Sequence, residues 1–128
     1  YDAQQVRDMV ADILKDAEQG IVASQVSLGW LYSQGTGLPR DFKKMMKWYQ
    51  LAAEQGHTGA QFQIGVMHEQ GKGIIQDYIK AHKWLNIAGA NGYEDARKAR
   101  SLLEGKMTPN QIAEAQKLAR KWMEKHNR

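Results

Sequence analysis

The chain has 128 residues, 42% hydrophobic and 25% charged, with two prolines and no cysteine. Such a composition suits a folded domain; it excludes a disordered segment, a disulfide framework, a thiolate metal site and a cysteine nucleophile. The net charge of +4 is confined to one end: residues 1–92 carry nine basic and nine acidic side chains, so the whole excess lies in residues 93–128. The first 19 residues, by contrast, hold five acids against Arg7 and Lys15, which makes the chain a dipole rather than a uniformly basic surface.

Taken in chain order, the apolar spacing predicts a first helix from about Ala3 to Gln19, closed by Gly20. A second runs over Ser24–Gln34, with Val26, Leu28, Trp30, Leu31 and Tyr32 at helical spacing. It ends at Gly35-Thr36-Gly37-Leu38-Pro39, where glycines supply left-handed backbone and proline forbids continuation. Asp41 is the predicted N-cap of a helix over Phe42–Gln55 that Gly56 stops. The plan then recurs: Thr58–Gln70, the turn Gly71-Lys72-Gly73, Asp77 as cap, and Tyr78–Asn91 before Gly92. Beyond it, Ala96 keeps the register but Ser101 stands where a helix glycine is due. Thr108-Pro109-Asn110-Gln111 opens the last helix with a capping box and a proline at its first position. Ile112, Ala115, Leu118, Ala119, Trp122 and Met123 give that helix one apolar stripe. Seven helices are expected.

An offset of 36 residues superposes Gly29 on Gly65, Gly35 on Gly71, Gly37 on Gly73, Asp41 on Asp77, Trp48 on Trp84, Ala52 on Ala88 and Gly56 on Gly92. Leu28 falls on Ile64 and Gln25 on Gln61 at the same offset. Gly29 and Gly65 lie inside helices, where glycine costs about 1 kcal/mol relative to alanine, so a close helix contact is expected there. Trp48 with Ala52, and Trp84 with Ala88, are the expected receiving surface. The end of the first helix, Asp-Ala-Glu-Gln-Gly at 16–20, echoes 52–56 and resembles an orphaned second helix.

The succession Leu28-Gly29, Tyr32, Gly35, Gly37, Asp41, Lys44, Trp48-Tyr49, Ala52-Ala53 and Gly56 resembles the Sel1-like repeat. So does the second copy, Ala60, Ile64-Gly65, Gly71, Gly73, Asp77, Lys80-Ala81, Trp84, Ala88 and Gly92; His68, Ser24 and Met45 depart from the pattern. The resemblance implies an all-α, right-handed α-α solenoid related to tetratricopeptide folds, in which each unit contacts its neighbours. The expected division is a single domain with a capping helix at 1–20, repeats at 21–56 and 57–92, and a degenerate repeat with a C-terminal cap at 93–128.

No constellation in the sequence nominates catalysis. His57, His68, His82 and His126 have no partner at metal-ligand spacing on one helix; His57 follows a helix stop, His68 fills a tyrosine-like position, and His126 is expected in a frayed tail. Gly71-Lys72-Gly73 lacks the strand and the Gly-Lys-Ser/Thr ending of a phosphate loop. Serines 24, 27, 33 and 101 have no spaced base, and Asp12 with Asp16 sits on a solvated acidic face. No catalytic residue, cofactor or metal is therefore expected.

The resemblance also implies that first helices line a concave, partner-binding side. With Ser24, Leu28, Tyr32, Ala60, Ile64 and His68 packing inward, the remaining face carries Val26, Trp30, Ser33 and Gln34, then Phe62, Val66, Glu69 and Gln70, then Lys98 and Leu102. Trp30 does not recur, since Val66 holds its place. It is either a binding anchor or a packing residue, set against the first helix or filling the inner groove of a short array. The first two units put no lysine or asparagine on this face, which disfavours a clamp for a charged peptide terminus. Lys117, Arg120, Lys121, Lys125 and Arg128, interleaved with Glu114 and Glu124, suit a solvated helix face better than a nucleic-acid surface.

The expected function is that of a non-catalytic, monomeric scaffold or adaptor for a protein or peptide, with no nucleic acid and no membrane span. The alternatives are an immunity-type inhibitor of a toxin or enzyme, and a weak hydrolase using the groove. The resemblance leans towards a bacterial, exported or periplasmic protein with its leader removed, with a cytoplasmic one as the alternative; the start at Tyr1 fits either a removed leader or a piece of a longer chain.

Overall fold

The computed structural model describes residues 1–35 and 37–126; Thr36 in the first turn and Arg128 of the basic tail lie outside them. The described residues form seven α-helices and two compact units, 1–57 and 58–128. The first unit holds α1 (Ala3–Glu18), α2 (Val22–Gln34) and α3 (Phe42–Glu54). The second holds α4 (Thr58–Gln70), α5 (Tyr78–Ala90), α6 (Glu94–Glu104) and α7 (Pro109–His126). α2 begins two residues before the expected Ser24, while the predicted last residues of α3 and α5, Gln55 and Asn91, are their C-caps.

Side chains named from the sequence set the helix starts. Asp41 Oδ1 accepts the Lys43 and Lys44 amides at 3.0 and 3.1 Å, and Asp77 Oδ1 accepts the Lys80 amide at 3.0 Å. Thr108 and Gln111 close a reciprocal box on α7: the Gln111 amide donates to Thr108 Oγ1 at 3.1 Å, and the Thr108 amide to Gln111 Oε1 at 2.9 Å. The turns repeat as well as the helices. Gly35 and Gly37 sit at φ 71° and 73°, Gly71 and Gly73 at 73° and 71°, a left-handed backbone that side chains resist.

In the first unit Ala17, Leu28 and Trp48 form the core, with Ile13, Leu14, Leu31, Tyr32 and Leu38 packed against it. Gln25, 3% exposed, is a polar member of this interior. Its Nε2 donates to the Ala17 carbonyl at 3.2 Å, and its Oε1 accepts from Gln55 Nε2 at 2.8 Å. One amide thereby ties α2 to the ends of both flanking helices, satisfying polar atoms that burial would otherwise penalise.

In the second unit α5 packs against α4, α6 and α7. Burial of Ala81, His82, Trp84, Leu85, Ile87, Ala88 and Gly89 covers it on nearly every side, as for a helix enclosed by neighbours. Trp122 meets Trp84 edge-on at 5.5 Å. His126 is not in a frayed tail: it completes α7, its ring stacked on Trp122 at 3.9 Å and its Nδ1 2.8 Å from the Trp122 carbonyl.

The helical glycines do mark close approaches, but not to the tryptophans. A Cβ on Gly29 would stand 2.7 Å from Tyr49 Cδ1 and Cε1; one on Gly65 would stand 2.8 Å from Leu85 Cγ and Cδ2. One residue is about 100° of helix rotation, which swings Trp48 away from α2's glycine onto the Ala17–Leu28 core while Tyr49 faces it. Gly29→Ala should therefore lower the melting temperature. The helix-propensity gain of about 1 kcal/mol is outweighed by overpacking against a flat ring, about 1–3 kcal/mol. Thermal denaturation checks the sign, and a higher melting temperature would remove the tight Gly29–Tyr49 contact from this account.

Candidate functional site

The face expected to meet a partner is carried by separate helices. On α2, Val26, Trp30, Ser33 and Gln34 follow at helical spacing, so they share one stripe. Val26 and Ser33 are half-buried, Gln34 is exposed, and Trp30 is 53% exposed. The stripe is locally ordered: Ser33 Oγ donates back to the Trp30 carbonyl at 2.6 Å, and Gln34 Nε2 donates to Ser33 Oγ at 3.3 Å. The other three tryptophans, Trp48, Trp84 and Trp122, are 4%, 3% and 9% exposed, so Trp30 differs from them in environment as well as in failing to recur.

The second unit contributes two stripes. On α4, Val66 and Glu69 are half-buried and Gln70 is exposed. Phe62 is committed to the interior of its own unit, stacked on Tyr93 at 5.0 Å and packed against the Ala81–Leu85 cluster. On α6, Lys98 and Leu102 face solvent, with Leu102 78% exposed. Of the positions assigned to inward packing, Leu28, Ala60 and Ile64 are wholly buried and His68 is 8% exposed. Tyr32 packs on the first core, and Ser24 is half-buried.

A polar seam between α5 and α6 escaped the sequence. His82 Nε2 lies 2.7 Å from Glu104 Oε2, Arg100 donates to Asn86 Oδ1 at 3.4 Å, and Arg97 Nε donates to the Gly89 carbonyl at 2.8 Å. These are three rungs between antiparallel helices. Spacing within one helix cannot reveal a pair 22 residues apart; the available signal was a histidine at the register position that Met46 holds in the first copy. His82 is 0% exposed while the Glu104 side chain is 34% exposed, so the pair anchors a partly solvated carboxylate of α6 onto buried α5. Among the described residues, no three histidine or acidic side chains gather as metal ligands, and no helix is long and apolar enough to cross a membrane.

Residues 22–57, 58–93 and 99–125 each match the Sel1 repeat. Two solved structures are similar over most of the chain. One is a protective antigen present in uropathogenic Escherichia coli strains and displaying an SLR fold; it is 32% identical, with a TM-score of 0.89 over 94% of this chain and 26% of that one. The other is a Sel1 repeat protein from Oxalobacter formigenes, 33% identical, with a TM-score of 0.72 over 75% of this chain and 40% of its own. The chain thus spans 26% and 40% of the lengths of these two bacterial proteins. No curated protein matches the sequence.

Within the second matched stretch, His68 carries a titration with a visible cause. Burial, followed by the Lys80 cation, holds its ring below the ordinary value of 6.5; Asp77 pulls upward, and Lys83 adds to the lowering. The unfolded chain therefore takes this proton more readily than the folded one. The corresponding stability is present above about pH 6.5 and drains as the pH falls below it, until the folded ring protonates. Melting curves from about pH 7 to about pH 5 should fall more steeply for the wild type than for His68→Tyr, which restores the residue found at position 32. Parallel slopes would show that His68 contributes nothing to the pH dependence.

Proposed function

Because this chain belongs to the Sel1 repeat family, an α-α solenoid fold whose members are generally non-catalytic protein–protein interaction modules, we propose that it holds a protein partner through the outward stripe of α2, centred on Trp30. The observation that carries this is the 53% exposure of Trp30 on an ordered helix whose neighbouring side chains are bonded in place. Tryptophan offers a large, nearly rigid contact area, and its truncation is among the costliest at interfaces. Val26 lies one turn before it and supplies an apolar flank; Ser33 and Gln34 supply the polar rim that such contacts carry.

The other stripes support the same role with less force. Val66, Glu69 and Gln70 on α4, and Lys98 and Leu102 on α6, are secondary contact candidates, whereas Phe62 supports the fold behind them. The apolar centre of the α2 stripe suits an extended or helical apolar segment of a partner.

Affinity capture from native lysate with the wild-type chain, with retained proteins identified by mass spectrometry, supplies the partner; the Trp30→Ala variant then tests the site. That variant should retain the partner at least about tenfold more weakly, with a melting temperature close to wild type. Unchanged retention combined with a melting temperature several degrees lower would assign Trp30 to the core instead.

A further inference from the structure

The 36-residue register allows the two interhelix turns to be compared, each within its own unit. In the first, Tyr32 and Leu38 pack on the core, and Lys44 Nζ lies 5.6 Å from the centre of the Tyr32 ring. The corresponding residues in the second unit are His68, Ile74 and Lys80. An imidazole is smaller than a phenol and offers the lysine a weaker seat. At this point the second unit has a cavity of about 410 Å³, lined by His68, Ile74, Ile75, Asp77 and Lys80.

The walls of this cavity are braced rather than loose. The Asp77 amide donates to the His68 carbonyl at 2.9 Å, and the Gly71 and Lys72 amides donate to the Met67 carbonyl at 2.8 and 3.2 Å. Gln76 Nε2 donates to the Glu69 carbonyl at 2.6 Å. These bonds fix the backbone of the turn beneath a half-open depression.

Its chemistry is mixed. The His68 ring is 8% exposed, and its buried Nδ1 has no hydrogen-bond partner. Ile74 is half-buried, and Ile75 stands 90% exposed at the rim, a degree of exposure unusual for a large aliphatic side chain on a tethered turn. Lys80 is exposed and brings a cation; the Asp77 carboxylate caps α5 through the Lys80 amide and keeps its negative charge on the opposite side of the balance. Burial lowers the titration of His68, so the ring lines the cavity without a charge of its own, while its Nδ1 lies buried beyond a ligand's reach.

We propose that this cavity binds a carboxylate carried on an aliphatic body. The carbon chain rests on Ile74 and Ile75, and the carboxylate meets the Lys80 ammonium and the His68 ring. Two sources share that chemistry, a free short-chain fatty acid and the C-terminus of a peptide ending in an aliphatic residue.

The test is a nuclear magnetic resonance titration of the full chain with hexanoate, following the Ile75 methyls and the His68 ring. Saturable shifts are expected with hexanoate and at least about tenfold weaker ones with hexanol, a difference that one charge-assisted contact supplies. Lys80→Met should weaken hexanoate binding by a similar factor, and His68→Tyr, which refills the space as Tyr32 does, should abolish it. Acetyl-Gly-Gly-Leu as the free acid, set against its amide, separates the sources: tighter binding than hexanoate points to a peptide terminus, weaker binding to a free acid. The proposal is overturned if hexanoate gives no saturable shift, if hexanol matches it, or if Lys80→Met leaves its affinity unchanged. Lys80 is exposed, so that variant decides the matter should His68→Tyr fail to fold.

Discussion

The two repeated helix pairs, α2 with α3 and α4 with α5, each depend on a place where the helices approach too closely for a side chain. At Gly29 the ring of Tyr49, and at Gly65 the branched end of Leu85, occupy the space a Cβ would need. Alanine would suit either helix better, so the residue is explained by the neighbour and not by the helix it sits in. Once that approach is set, the length of the turn, the aspartate that starts the returning helix and the small residues along it follow as its geometric requirements. The same spacing recurs at 36 residues because each helix pair solves the same packing problem.

The features that punctuate the backbone were legible in the sequence. Glycine pairs at the turns, aspartates at the helix starts and the Thr108–Gln111 box each act through local chemistry, and local chemistry is written in order along the chain. Partnerships across helices were not. The tryptophans, being the largest recurring residues, drew the expectation of facing the glycines, yet that place belongs to Tyr49 and Leu85, one position further on. A single residue turns the helix through about 100°, so a repeat shows that a contact recurs without showing which member of a neighbouring pair makes it. The rungs between α5 and α6 were hidden for a related reason: His82 and Glu104 pair only because two helices run antiparallel, and nothing near either residue announces the other.

The candidate binding face divides along similar lines. Helical spacing selects the stripe on α2, since period alone groups Val26, Trp30, Ser33 and Gln34. Depth within the stripe is decided by neighbours that the period does not name. Phe62 occupies the face position that Val26 holds one repeat earlier, yet it leans on Tyr93 and becomes part of the interior. Trp30, in the register of half-buried Val66, stays in solvent. Departures from repetition are thus where individual character enters, and His68 in the place of Tyr32 is another, a buried imidazole with a lowered titration beside an open cavity.

Gln25 shows what polar burial adds to a small-residue interface. Apolar surfaces held together by area alone can slide by a fraction of an ångström at little cost, because dispersion has no preferred direction. An amide that must donate to the Ala17 carbonyl while accepting from Gln55 permits no such slip, since hydrogen bonds weaken steeply out of line. Gln25 therefore works as a keyed joint, locking α2 in rotation and in height against the two helices beside it, and the orientation in which Trp30 is presented is inherited from that lock.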